Sequence, residues 1–168
     1  MLDWRREITG VAGGSTAFRG AHPAPEPGHG EQARGGSIGS SAVTALQDRL
    51  AGTFHLVSLE TRRSDGVVSS PFGRGVIGLF MFDRAGNFAV QLMGDHAMAM
   101  FGTYVVDETQ RTFTLTPVGA LDRALIGTEV VRHVDPGHDD VAVFSTPVNV
   151  ADGMESTTFI TWRKVASA

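Results

Sequence analysis

The 168-residue chain contains no cysteine. This absence excludes disulfide bonds, thiolate nucleophiles and zinc sites with cysteine ligands, and it is compatible with a reducing compartment. The chain also has no apolar run near the roughly 20 residues that a membrane helix needs, and its N-terminus lacks the continuous apolar segment of a secretory signal. We therefore expect a cytoplasmic protein with no membrane partner.

An excess of positive charge is also missing. The chain has 14 Lys and Arg against 18 Asp and Glu, a formal net charge of -4, so nucleic acid is not an expected partner. No Gly-x-Ser-x-Gly, His-Glu-x-x-His, Walker or dinucleotide-binding motif occurs. The six histidines and their neighbouring carboxylates show no metal-ligand spacing, so neither a metal nor another cofactor is expected. Any catalysis must therefore depend on oxygen-containing side chains, on histidine imidazoles or on the shape of a binding site.

Large apolar side chains are scarce in residues 1–40, where glycine and proline are frequent. Such a segment cannot bury enough surface to offset the entropy lost on ordering it. We expect a flexible tail there, or a lid over the mouth of a pocket. A single domain over residues 41–168 follows, because a chain of this length has room for one ordinary core.

A short helix is predicted over residues 42–50, where Val43, Leu46 and Leu50 have helical spacing and Gly52 ends the pattern. Eight strand-like runs follow, each bounded by turn residues. They are Thr53–Arg62, Val76–Phe82, Asn87–Met93, Phe101–Val106, Thr112–Thr116, Leu125–Val134, Val141–Thr146 and Ser156–Lys164. Short strands without intervening long helices predict an all-β, eight-stranded antiparallel barrel, with a β-sandwich as the alternative.

Two of these runs, Val76–Phe82 and Val141–Phe144, are apolar at almost every position. A strand with one face in water should instead alternate between apolar and polar residues. Something is therefore expected to cover part of the outer surface. A second subunit, giving a homodimer, is the first hypothesis, and the N-terminal helix or tail is the alternative.

The first predicted strand opens with residues 50–58, LAGTFHLVS, directly after the helix. This opening resembles the bacterial and fungal lipocalin-like domain family. The order of several later segments also matches: Asp65-Gly66, Pro71-Phe72-Gly73, Gly78–Phe82 with Gly86, Phe101–Tyr104, and Gly127–Glu129 with Arg132. The resemblance spans about residues 46–165. It implies a barrel that holds a small molecule, and some relatives by fold are natural-product cyclases.

Two positions depart from the family pattern. Phe54 stands where the family usually has tryptophan, and Thr114–Pro117 lacks the histidines that many relatives carry near that strand. Any function of those histidines is lost or replaced here. Phe54 is still expected to plug one end of the barrel. Trp162 and Arg163 are predicted to close the same end, with Arg163 over an aromatic ring.

Polar residues on strands are the candidates for chemistry, because a polar group facing a barrel lumen needs a partner or a ligand. Strand alternation puts Glu129 and His133 on one face and Arg132 on the other. Glu129 and His133 are a candidate acid–base couple, although a glutamate is more often the partner of a neighbouring Arg or Lys than a catalytic acid. Tyr104 is a candidate donor to a carbonyl or enolate oxygen. These three are the predicted catalytic residues.

The predicted ligand contacts are Gln91, Met93, Met98, Met100, Arg132 and His55. The three methionines suit the mouth of an apolar pocket, because thioethers adapt to irregular shapes. On the third strand, Gln91 and Met93 are predicted to face inward, which puts Phe88, Val90 and Leu92 outside. His55 follows Phe54 and points the other way, so it lies either on the outer surface or in a pocket.

Three functions fit these features. The first is a cofactor-independent enzyme of a biosynthetic pathway that cyclises, isomerises or dehydrates a small apolar molecule through conformational restriction and hydrogen bonding. The second is a non-catalytic binder or carrier of such a molecule. The third is an interaction module whose barrel is filled by its own side chains. An enclosed cavity with polar side chains inside it would separate the first two from the third.

Overall fold

A computed structural model describes residues 45–165 apart from positions 136 and 139. The tail predicted for residues 1–40 and the first residues of the predicted helix lie outside this range. In this described range one helix, α1 (Ala45–Leu50), precedes the strands, and a 3-10 turn spans Arg123–Leu125. The strands are β1 (Gly52–Arg63), β2 (Val68–Ser69), β3 (Ile77–Phe82), β4 (Asn87–Met93), β5 (Ala97–Asp107), β6 (Thr112–Ala120), β7 (Val130–Asp135), β8 (Val141–Ser145), β9 (Asn149–Ala151) and β10 (Met154–Lys164).

Eight of the strands in the described range form a closed antiparallel barrel, which confirms the predicted fold. Their order around the barrel is β1, β3, β4, β5, β6, β7, β8 and β10, and β10 pairs with β1 to close the circle. The short strand β2 pairs with the end of β1, and the short strand β9 pairs with the start of β10. Closure leaves no free edge in the main sheet, so no long row of unpaired backbone groups is exposed there.

The two ends of the barrel differ. At the end called here the helix end, α1 packs its buried Leu46 and Leu50 against the core. The Leu46 amide donates to Glu108 Oε1 at 2.8 Å, and Lys164 Nζ donates to the Arg49 carbonyl at 2.9 Å. The opposite end, called the loop end, is formed by residues 70–76, 94–96 and 121–129 and by the chain between β8 and β10. Fully buried Phe72 belongs to the core there.

Aromatic rings fill the helix-end half of the interior. Phe80 and Phe82 stack with centroids 4.2 Å apart, and Phe80 meets the Trp162 ring edge-on at 5.5 Å. Besides Phe72 at the loop end, the buried rings of the described residues are Phe54, Phe80, Phe82, Phe88, Tyr104, Phe113, Phe144 and Trp162. Phe54 is 2 % exposed, in agreement with its predicted role as a plug. This half of the barrel is therefore a packed core.

The cation next to Phe54 is not the predicted one. Lys164 Nζ lies 5.7 Å from the Phe54 ring centroid, whereas Arg163 is exposed. Strand alternation explains the correction, because Trp162 points inward and its neighbour Arg163 must point out. Lys164 on β10 is the register partner of Phe54 on β1, so the two side chains lie on the same face of the sheet.

Some strand bounds differ from the predicted ones. β5 begins at Ala97, so the connection between the predicted strands Asn87–Met93 and Phe101–Val106 shrinks from seven residues to three. Met98 and Met100 alternate with alanines, and this alternation continues the strand. The predicted strand from Leu125 instead begins at Val130, since Gly127 has a φ of 77° that breaks an extended chain. No helix in the described part of the chain is long and apolar enough to cross a membrane.

Candidate ligand site in the barrel interior

Four polar side chains are buried among the described residues: Thr61, Arg132, Thr146 and Thr158. They lie on or beside β1, β7, β8 and β10, which are consecutive around the barrel. Thr61 pairs with Thr158 in the register. Continuing the β7–β8 register beyond His133–Ser145 brings Arg132 opposite Thr146. The four side chains therefore form one row across half of the inner wall. The threonines lie toward the loop end, and Arg132 is the register partner of Phe113 in the aromatic core.

Hydrogen bonds connect the three threonines of this row. The hydroxyls of Thr61 and Thr158 are 2.8 Å apart. The Thr158 amide donates to Thr146 Oγ1 at 3.0 Å, and the Thr146 amide donates to the Thr158 carbonyl at 3.0 Å. These bonds fix the threonines in place. The Thr146 hydroxyl accepts one bond and still carries a proton that it can donate.

Arg132 brings a positive charge into the interior. Its side chain is 4 % exposed, and Nη1 donates to the Val131 carbonyl at 2.7 Å. Burial lowers the pKa of Arg132 to about 10, because a low-dielectric environment disfavours the charged form. The guanidinium is still protonated at neutral pH. It presents a planar fork of donors, which matches the geometry of a carboxylate.

Trp162 adds another buried donor. Its indole nitrogen is buried and has no hydrogen-bond partner among the described residues. Trp162 follows Thr158 and Ile160 on the inner face of β10. A buried donor without an acceptor costs stability, so such groups call for an explanation.

The strands on the other side of the barrel supply an apolar wall. Leu92 on β4 and Met98 and Met100 on β5 are all at most 5 % exposed and belong to the core. Met98 and Leu92 are register partners near the loop end. The loop-end half thus has a polar row on one side and flexible apolar side chains on the other.

The structure brings three of the predicted ligand contacts, Met98, Met100 and Arg132, into the interior. Tyr104 is also inside, but it lies at the helix end. Its hydroxyl donates to the Asp83 carbonyl at 2.7 Å in the turn between β3 and β4. This bond anchors the turn and uses the proton of the Tyr104 hydroxyl.

The predicted orientation of β4 is wrong. Phe88, Val90 and Leu92 are buried in the interior, whereas Gln91 is exposed and Met93 is 41 % exposed. The reason is volume, because the bulkier apolar set fills the lumen and the softer, partly polar set is left outside.

The predicted acid–base couple does not lie in the lumen. Glu129 precedes β7 and is exposed, and His133 is exposed on the outer face of that strand. The expected opposition of His133 and Arg132 on the two faces of β7 is observed. His55 is also exposed, on the outer face of β1. No group of three His, Asp or Glu side chains among the residues described is placed to hold a metal ion.

The threonines of the row were not among the predicted site residues. Each threonine lies two residues from an apolar side chain that faces the interior, so it faces the interior as well. The pairs are Leu59 and Thr61, Phe144 and Thr146, and Thr158 and Ile160. A polar residue at an inward-facing position of an otherwise apolar strand is the sequence feature that would have identified them.

Several concavities line the described surface. A small one of about 30 Å³ lies between α1 and the helix end of the barrel, which is room for about one water molecule. Two open grooves of about 370 and 580 Å³ lie on the outer face of β1, β3 and β4 and of β4, β5 and β6. Gln91 borders both, and His55 and Met93 border the first.

Comparison with known proteins supports the resemblance in the sequence. A family model described as a lipocalin-like domain matches residues 51–95, which run from the start of β1 to just beyond β4. No curated protein matches the chain. The match covers four strands, and the pairings of the other strands complete the closed barrel. The chain is thus similar to the lipocalin-like domain family over residues 51–95, and its fold is the barrel that this similarity implies.

Proposed function

We propose that the protein binds a small, largely apolar molecule in the loop-end half of its barrel. The observation that carries this proposal is the division of the inner wall. Thr61, Arg132, Thr146 and Thr158 lie on or beside four consecutive strands, while Leu92, Met98 and Met100 lie on β4 and β5. Eight-stranded barrels have interiors that are either filled by side chains or wide enough to hold one small ligand. The concavities described above lie at the helix end and on the outer face, so a guest in the lumen must displace side chains. Methionine side chains can change rotamer to admit a guest.

Binding without turnover is the function that the side chains support best. Glu129 and His133 are outside the lumen, and the Tyr104 hydroxyl is bonded to the main chain at the other end. A catalytic acid or base must reach the reacting atoms within hydrogen-bond distance. Cyclisation, isomerisation or dehydration by shape alone stays a prediction from the sequence.

A matched pair of variants tests the location of the site. Met98→Phe adds bulk inside the barrel, and Met93→Phe makes the same change on the outer face of the neighbouring strand. The probe is N-phenyl-1-naphthylamine, an uncharged dye that fluoresces in apolar surroundings. We expect Met98→Phe to weaken dye binding about 10-fold, since overpacking a filled site costs 1–3 kcal/mol, and Met93→Phe to leave it unchanged.

The opposite pattern would place the ligand elsewhere. Loss of binding in Met93→Phe alone would move the site to the outer groove that Met93 borders. A protein that does not bind the dye at all would support the filled-barrel interaction module instead.

We also propose that two copies associate through the outer face of β3, β4, β5 and β6. The exposed apolar side chains of this face include Ile77, Met81, Met93, Phe101 and Val105. The outward strand positions of β3, of β4 and of β5 up to Val105 carry no Asp, Glu, Lys or Arg. In a twofold dimer a face meets its own copy, so an uncharged face avoids the repulsion between like charges.

A further inference from the structure

Both ends of the barrel are blocked by buried side chains. Phe72 at the loop end is fully buried, and its carbonyl accepts a hydrogen bond from the Asp95 amide at 2.8 Å. Leu50 of α1 is 2 % exposed at the helix end and belongs to the core. A small molecule that binds in the lumen must therefore enter through one of these ends, after a segment of chain moves away, or through the wall.

The wall between β1 and β3 is hydrogen-bonded along only part of its length. The register pairs Gly52–His55 of β1 with Leu79–Phe82 of β3 and ends there. On this edge, residues 56–60 of β1 have no strand partner in the described structure, and pairing resumes with β2 at Thr61. Val57 is the extra residue of a bulge in the pairing with β10, and a bulge bends its strand. Beyond His55, side chains and not ladder hydrogen bonds close the wall.

Gly78 leaves a gap in this wall that two leucines fill. It occupies an inward-facing position of β3, two residues before the buried Phe80, and it carries no side chain. A Cβ atom there would lie 2.6 Å from Leu92 Cδ2 and 3.1 Å from Leu56 Cβ. Leu92 is fully buried on the inner wall, and Leu56 is half-buried against the core. The two leucines therefore take the space that a side chain at position 78 would occupy.

The open groove of about 370 Å³ on the outer face lies directly over this gap. Its lining includes Gly78, the apolar side chains of Ile77 and Met93, and also Leu56, although Leu56 faces the interior. Leu56 and Leu92 thus separate the groove from the lumen. Rotation of two leucine side chains is a smaller change than displacement of a bonded segment at either end, because it breaks no ladder hydrogen bond.

We propose that a small apolar molecule enters the barrel sideways, through the seam between β1 and β3, with Leu56 and Leu92 as the gate. This inference rests on the proposed function and adds a route to it. The outer groove receives the molecule beside Ile77 and Met93, and rotation of the two leucines at Gly78 admits it. Leu92 is itself part of the proposed site, so the passage opens directly into that site. The gate is apolar throughout, which favours uncharged guests.

A disulfide across the seam tests this route. The chain has no cysteine, so Leu56→Cys combined with Gly78→Cys introduces the only two thiols. Their Cβ atoms would be 3.1 Å apart, slightly below the usual disulfide range of about 3.5–4.5 Å, and a small opening of the seam accommodates the bond. The same variant is measured oxidised and reduced, by stopped-flow fluorescence with N-phenyl-1-naphthylamine. We expect oxidation to slow association and dissociation alike, each by at least about 10-fold, and to leave Kd unchanged, because a barrier on the path acts in both directions.

Leu56→Ala gives the complementary change. It widens the gate without a cross-link, so both rates should rise by about 3-fold or more at unchanged Kd. Leu46→Ala removes the same side chain from α1 at the helix end, and it should leave both rates unchanged. Adding Phe101→Glu to each variant removes the proposed dimer contact, which includes Ile77 and Met93 of the groove. The rates then report the seam alone.

The possible results separate the route from the site. Equal rates in the oxidised and reduced forms, with the disulfide verified by mass spectrometry, would overturn the lateral route and leave binding in the lumen standing. Faster rates in Leu46→Ala in place of Leu56→Ala would also overturn it, because entry would then be at the helix end. A change in dissociation alone would make the seam part of a binding site and not a passage. If the wild-type protein does not bind the dye, the proposed function itself fails. If the cysteine pair does not fold, the two alanine variants still decide.

Discussion

Tyr104 is the only tyrosine in the chain, and its environment defines its role. Burial raises the pKa of its hydroxyl above the usual value of 10, and the carboxylates of Asp83 and Asp48 act in the same direction. A hydrogen bond from the Gln47 side chain acts in the opposite direction. The neutral phenol is therefore the form that the folded barrel favours, and it is the form that donates to the Asp83 carbonyl.

This environment gives a prediction that needs no mutation. Absorbance at 295 nm reports phenolate formation, and one tyrosine gives one titration curve. The folded protein should titrate above pH 10 and the protein in guanidinium chloride near pH 10. Since the folded pKa is the higher one, the stability linked to Tyr104 is present below pH 10 and is lost as the pH rises through the folded pKa. A folded-state midpoint at or below 10 would contradict the observed burial.

Arg132 and the threonines show how far single residues could be assigned from the sequence. Arg132 could be singled out as a candidate because a charged residue within an apolar strand is conspicuous, and the structure buries it. The threonines could not be, because threonine is common on both faces of strands. Their role depends on four strands meeting side by side, which is a property of the register and not of any one segment.

At the scale of elements, the junction of β5 and β6 depends on Gly102. The register shifts between Phe101 and Gly102, and Gly102 is buried. A Cβ atom at Gly102 would lie 2.1 Å from the Thr116 carbonyl oxygen and 2.9 Å from Pro117 Cα. Both of these neighbours are backbone atoms, so they cannot rotate away as a flexible side chain would.

Gly102→Ala should therefore destabilise the barrel, by about 1–3 kcal/mol in the free energy of unfolding. Urea denaturation followed by circular dichroism measures this quantity. Thr103→Ala, at the next and exposed position of β5, is the matched control and should change it by no more than about 0.5 kcal/mol. Equal stability of Gly102→Ala and wild type would mean that the two strands separate more easily than their close approach indicates.

The strands differ in how well the sequence predicts them. Most strand ends could be predicted from the positions of turn residues, because glycine and Asp-Gly pairs favour turns wherever they occur. The facing of β4 was wrong, since Phe88–Met93 is nearly as apolar on one side as on the other and alternation alone cannot choose. The structure places the larger side chains, those of Phe88, Val90 and Leu92, in the interior. The short strands β2 and β9 lie in predicted loops, and their pairing depends on neighbours distant in the chain.

At the scale of the whole molecule, the uncharged outer face predicts a dimer. Phe101 is 58 % exposed near the middle of that face. Phe101→Glu would place two like charges in the proposed twofold contact, which should separate the copies. Sedimentation velocity should give a dimer for the wild-type protein and a monomer for this variant.

The control for this prediction is Val150→Glu. Val150 is 64 % exposed on β9, outside the proposed contact. The same substitution there changes the net charge equally and should leave the dimer intact. A wild-type monomer at concentrations of tens of micromolar would disprove association through this face.

The pairing of β1 with β10 has a consequence for the synthesis of the protein. Thr61 and Thr158 are 97 residues apart in the chain and are hydrogen-bonded in the structure. A ribosome makes the chain from the N-terminus, so the edge of β1 that pairs with β10 stays unpaired until β10 has been made. Until then the nascent sheet has an exposed strand edge, which can pair with other chains. The synthesis of β10 thus completes the barrel wall and the polar row together, so the proposed site in the lumen can form only after that strand is made.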